Sequence, residues 1–390
     1  MTFENKYVRA AIPALLIHSC IGSVYCWSLI KNEVAAEIGC GVSSIEMAFS
    51  LAIFFLGMSA AFGGRFVEQN VKLSSLLSWA FFASGLALSV LAIHMHSPIG
   101  FMLSYGCIMG IGLGIGYLSP VKTLMLWFSR HKGLATGIAI SGFGLSKAIF
   151  SPFIEWCNDA FGVSVTLVSI ASISTMAMLL ASTLIHKPKS WKEELAPFDI
   201  KEYFHIITNE TYLKIWFVFY LNITCGLALI SFEKGICGSI GITAIGLVAS
   251  VTAFFNTIGR FGYSTVSDWF NRKEHIYTII FASSLIVTTL CGYLYYTPIV
   301  IAMLCVINAG YGGGFSTLPT LLQSKFGMEK ISTIHGLALS AWAWAGLSGN
   351  QLSDLIINTM GQPYSKLALI LSALYGVSMF ITLSIKKQLS

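Results

Sequence analysis

Three cations stand inside stretches that are otherwise apolar: Lys122, Lys147 and Arg260. A charged side chain at bilayer depth costs roughly 2.5–3.5 kcal/mol on insertion scales, so each one marks a binding role or a structural pairing. Arg260 is the most informative. It lies eight residues before Asp268, about 12 Å along a helix, which puts it near mid-span. A guanidinium stays charged and grips a carboxylate through a two-pronged fork. The alternative is a structural arginine bonded to backbone carbonyls. Lys147, in the middle of its run, is a candidate second cation; it is otherwise a neutral or structural lysine. Lys122, five residues before Trp127, is within snorkelling reach of the interface. No Asp or Glu stands mid-span, so the carboxylate relay that proton-driven sugar symport uses is missing. His18 is the one mid-run group that titrates near neutral pH, a candidate for proton coupling or a core histidine bonded to a carbonyl. Tyr25, Trp27, Tyr117, Trp342 and Trp344 are candidate aromatics for walling such a site.

The elements that must hold these groups are membrane helices. Of 390 residues, 55% are hydrophobic and 10% are charged. A soluble domain carries roughly 25% charged residues. Twelve apolar runs are long enough to span: 7–30, 44–65, 73–94, 98–127, 133–156, 163–186, 211–232, 242–267, 275–296, 298–322, 331–357 and 363–385. The first follows Lys6 and Arg9 but is too long for a signal core, and is expected to be a retained span. A charged linker, 187–210, divides an expected N-terminal six-helix bundle (1–186) from a C-terminal one (211–390). The fold class is therefore all-α: twelve transmembrane helices in two pseudo-symmetric bundles.

Basic residues set the expected orientation. Seventeen of the 23 Lys and Arg lie on the even-numbered connections and the two ends, and only three on the other side. Both termini are then cytoplasmic, in a multi-pass protein of a cytoplasmic (inner) membrane. The net charge of +6 resides at helix ends, which points away from nucleic acid as a partner. Nine scattered cysteines with no Cys-x-x-Cys give neither a disulfide framework nor a metal site. No cofactor is expected. His94 and His96 lack the accompanying ligands an enzyme centre needs, so the chain is not read as an enzyme. A monomer in contact with lipid is expected.

The halves repeat. Gly64-Arg65-Phe66-Val67-Glu68 with Lys72 corresponds to Ser264-Thr265-Val266-Ser267-Asp268 with Arg272-Lys273, Pro120 to Pro319, and Lys132-Gly133-Leu134 to His335-Gly336-Leu337. Glu68, Asp268 and Arg272 form a candidate conformational latch, in which an acid at a helix end pairs with bases and with the positive N-terminus of a neighbouring helix. Gly110, Gly112, Gly114 and Gly116 mimic a dinucleotide fingerprint, but they lie in an apolar run with no strand before them and are expected to be close-packing pairs.

Tyr25-Cys26-Trp27-Ser28, Trp127 to Gly137, Gly142-Phe143-Gly144, Gly312 to Pro319 and Gly346 after a tryptophan pair resemble the oxalate:formate antiporter family of the major facilitator superfamily. The resemblance implies a carrier with a small-molecule carboxylate substrate bound between the halves near the midplane. It implies that Arg260 pairs with the carboxylate and that Tyr25, Tyr117 and Trp342 line the cavity. Members that move a dicarboxylate carry a lysine where this chain has Trp342, which points toward a monocarboxylate unless Lys147 replaces that cation. The expected function is alternating-access transport of a short mono- or dicarboxylate by exchange. The competing readings are a proton-coupled symporter and a non-transporting sensor.

Overall fold

The computed structural model describes residues 5–191, 200–243 and 245–385. Lys192, Lys386 and Lys387, assigned above to the cytoplasmic side, and residues 192–199 of the linker lie outside the described residues. Among the described residues the chain is helical, with no strand. Twelve long helical runs follow one another. In the N-terminal part they are span one (Tyr7–Leu29), span two (Ser43–Gln69), span three (Val71–His94), span four (Pro98–Trp127), span five (Lys132–Phe161) and span six (Val163–Leu184). The remainder are span seven (Glu210–Ile230), span eight (Ile245–Ser267), span nine (Glu274–Tyr293), span ten (Thr297–Phe326), span eleven (Ile331–Asp354) and span twelve (Tyr364–Leu383). Ten are long and apolar enough to cross a membrane by length and composition.

The duplication read from three motifs extends to all twelve long helical runs. The six helix starts Tyr7, Ser43, Val71, Pro98, Lys132 and Val163 recur in order, at a nearly constant offset, as Glu210, Ile245, Glu274, Thr297, Ile331 and Tyr364. The match includes a short helix after span one (Lys31–Ile38) and its counterpart after span seven (Glu233–Ser239). Local chemistry fixes the boundaries. Asn70, in extended conformation, accepts from the Leu73 amide at 3.0 Å and so starts span three. Ser97 with Pro98 at the first position starts span four, and Asn209 caps span seven. The short helix after span one stops at Gly39, whose φ of 80° is open to glycine at little cost.

The chain divides into two compact units. One comprises Met1–Ala196 with Met328–Ala343, the other Pro197–Gly327 with Trp344–Ser390. Span eleven thus contributes its first half to one unit and its second half to the other. In the first unit the glycines of span four work as pairs. A Cβ on Gly110 or Gly114 would collide with span two, at Ala52 and Leu56, and one on Gly112 or Gly116 with span three, at Phe82 and Ser78. In the second unit span ten seats span eight in the same way. A Cβ on Gly259 would stand 2.0 Å from the Ala309 carbonyl oxygen, and one on Gly312 2.2 Å from that of Asn256. Between helices in lipid, such backbone proximity replaces the hydrophobic drive available in water. All nine cysteines are free thiols.

Candidate functional site

In the second unit Arg260 is 1% exposed, so span eight turns it into protein rather than toward lipid. Its Nε donates to Asn256 Oδ1 at 2.8 Å, one turn earlier on the same helix. Its guanidinium lies over the Phe315 ring at 5.4 Å from the centroid, close enough for a cation–π attraction. Phe315 is itself held edge-on by Phe219 and Tyr311, with centroids at 5.0 and 5.1 Å. Gly312 leaves room for the stem, since a Cβ there would sit 2.9 Å from Arg260 Cγ. The result is a planar cation with one edge fixed by an amide and one face fixed by a ring. Sequence reasoning did not single out Asn256 or Phe315. The signals were an amide one helical turn before the arginine and the aromatic that closes the span-ten glycine run.

In the first unit the predicted aromatics converge on a residue that was not predicted. Phe143 of span five packs against Tyr25 at 5.2 Å, Tyr117 at 5.8 Å and Trp342 at 5.9 Å. Tyr117 also meets Trp342 at 5.7 Å and His335 at 6.0 Å. Tyr117 and Trp342 are fully buried and Tyr25 half-buried. His18, also fully buried, has its ring 5.2 Å from that of Tyr117. Span one approaches span five closely here because Gly22 has no side chain; a Cβ would lie 2.6 Å from the Phe143 carbonyl oxygen. Ser146 reinforces the contact by donating to the Ser19 carbonyl at 2.5 Å. Trp27 belongs elsewhere, packed with Phe101 and Tyr105, and Trp344 is 51% exposed. Lys147 is half-buried on span five, where its charge acts on Cys26.

Glu68 of the candidate latch is buried at the end of span two. Its carboxylate accepts from the Thr333 amide at 3.1 Å and the Thr333 hydroxyl at 2.9 Å, at the first turn of span eleven. Gly64, one turn earlier, makes room; a Cβ there would stand 2.4 Å from the Ser332 carbonyl oxygen. Lys122 Nζ is 4.0 Å from Glu68, and Lys187 donates to the Glu68 backbone carbonyl. Lys122 therefore sits beside Glu68 rather than snorkelling to the interface. Burial, and secondarily the charge of Lys122, push the Lys187 amine down to about 8, with Glu68 opposing. The second copy is arranged differently. Arg272 Nε donates to Glu274 Oε1 at 2.8 Å, and Lys325 reaches the same oxygen at 3.2 Å, while the Asp268 charge acts on Lys273. Glu274, the first residue of span nine, was not foreseen; its position at a helix N-terminus beside a pair of bases was the available clue.

Two series of six long helices, with Glu68 and Asp268 at the ends of spans two and eight, are the architecture of a multi-pass helical membrane protein. A family profile described as the Major Facilitator Superfamily matches residues 14–350, and the chain belongs to that superfamily. It is 23% identical over 366 residues to an oxalate:formate antiporter of Oxalobacter formigenes, covering 92% of this chain and 86% of the relative. It is 20% identical to apicoplast pyruvate carrier 1 of Toxoplasma gondii, covering 96% and 88%. Its fold superposes on the fucose:proton symporter FucP of E. coli with a TM-score of 0.73 at 14% identity, over 97% of this chain and 98% of that one. The family consists of multi-pass transporters of small molecules, not enzymes.

Proposed function

We propose that this transporter carries a short mono- or dicarboxylate by alternating access, exchanging one organic anion for another. Buried Arg260 carries the reading. Asn256 and Phe315 fix the orientation of a buried planar cation whose geometry matches a carboxylate. Two relatives named for oxalate, formate and pyruvate, all small carboxylates, support the substrate class. Tyr25, Tyr117, Trp342 and Lys147 are proposed to line the path from the first unit, and Glu68 with Asp268 and Arg272 to latch one conformer. The proposed setting is an inner membrane with both termini cytoplasmic, the protein acting as a monomer. Proton-coupled symport of a monocarboxylate is the second reading, favoured by the surroundings of His18.

The test is counterflow of radiolabelled formate, pyruvate and oxalate in proteoliposomes. Arg260→Ala is expected to abolish exchange of whichever anion the wild type accepts. Unchanged exchange in that variant would remove Arg260 from the site.

A further inference from the structure

His18 stands between two backbone carbonyls. Its Nδ1 contacts the Ala139 carbonyl oxygen in span five, and its Nε2 lies 3.1 Å from the Tyr117 carbonyl oxygen in span four. A carbonyl oxygen only accepts hydrogen bonds, and a neutral imidazole has one N–H and one lone pair. In either neutral tautomer, one ring nitrogen would face a carbonyl lone pair to lone pair. Only the imidazolium donates to both. We propose that His18 is a proton-binding site, and that loss of its proton releases span one from span four or span five and so changes the rate of transport. This rests on the transporter reading for its consequence, though not for the protonation itself.

The surroundings suit a group that changes state. His18 is fully buried, which works against charge, while two acceptors work for it. Tyr117 from span four faces the ring, and His335 from span eleven packs against the same Tyr117 at 6.0 Å between centroids. His335 lies within electrostatic reach of His18. Its Nε2 is buried and has no hydrogen-bond partner among the described residues. From span five the ring meets Phe143, while Gly142 leaves room for the His18 Cβ, and span six turns Ser174 toward Cys20. The charges on these helices stand apart. Lys122 is engaged at Glu68, and Lys147 and Glu155 act on Cys26, about two turns further along span one. Lys132 and Asp159 lie near the ends of span five, and Arg9 near the start of span one.

The experiment has two arms. In nanodiscs, protein labelled with nitrogen-15 histidine is titrated from about pH 5 to 9, spanning the ordinary histidine range, and the His18 resonances are assigned by difference against His18→Gln. Resonances that move from the single-proton to the doubly protonated pattern as pH falls are expected. A ring that is neutral throughout, or charged throughout, overturns the proposal. In proteoliposomes, anion exchange by wild type is expected to change by about tenfold over the same range, the size of one charged hydrogen bond. His18→Gln and His18→Asn should flatten that profile, whereas His335→Gln should shift it. A profile unchanged in both His18 variants overturns the link to transport. Titration of His18 with no anion flux from wild type would sink the organic-anion reading and leave the proton site standing.

Discussion

The Glu68 carboxylate accepts hydrogen bonds from both the amide and the hydroxyl of Thr333, so the end of span two caps the start of span eleven. The two residues are 265 positions apart, yet they belong to one compact unit, because Met328–Ala343 clusters with the N-terminal helices. The carboxylate does three things at once. It satisfies an orphan donor at a helix N-terminus, complements the positive end of that helix, and stands 4.0 Å from a buried lysine.

Removing that acid should therefore cost more than a cap. Glu68→Gln is expected to lower stability by about 2–4 kcal/mol, because Lys122 is left buried without its opposite charge. Lys122→Met added to Glu68→Gln should recover part of the loss. A thermal-unfolding double-mutant cycle in detergent checks both, and additive losses would show that the pair is not coupled.

Arg260→Lys keeps the charge but forfeits the two-pronged fork and the flat stacking on Phe315. Loss of one charged hydrogen bond of about 1.5–3 kcal/mol corresponds to roughly 10- to 150-fold weaker anion binding. Asn256→Ala should act in the same direction and more weakly, through orientation alone. Ligand-induced stabilisation by formate, pyruvate and oxalate reads all three proteins.

Gly312→Ala would drive a methyl group into the Asn256 carbonyl at 2.2 Å and toward the Arg260 stem at 2.9 Å. Overpacking of this kind costs about 1–3 kcal/mol. Because the clash is with the turn that carries Arg260, binding is expected to fall along with thermal stability. Gly262→Ala, where a Cβ meets nothing within 4 Å, is the matched control and should change neither.

Lys187 gives a pH effect with a defined sign. Its pKa falls from 10.5 in a free chain to about 8 in the fold, so the folded state sheds this proton first. Unfolded chains then bind more protons between pH 8 and pH 10.5, and stability contributed by this residue rises with pH across that window. Below pH 8 the penalty for the buried charge is present in full. Melting temperatures measured across the window should rise in wild type relative to Lys187→Met, and parallel curves would contradict the assignment.

The twelve spans, their duplication and the buried cations were legible in the linear sequence, because lipid imposes strong local constraints. A spanning helix must be apolar over its length, and a charge inside it is conspicuous. Capping residues such as Asn70 and the glycine pairs of span four are likewise local signals, set by backbone hydrogen bonding and close approach. The partners of those charges were not legible. Lys122 reads as a snorkelling lysine until folding sets it beside Glu68, and Phe143 reads as one phenylalanine among 27 until Tyr25, Tyr117 and Trp342 close around it. The two copies of the candidate latch look equivalent as motifs, yet in the second half Arg272 and Lys325 meet at Glu274. Pairing depends on which face each helix turns to its neighbour, and that rotation is decided by packing summed over many residues. The state of His18 belongs to the same class. Its identity is in the sequence, while its two acceptors are backbone carbonyls, which every residue carries and only the tertiary structure aims.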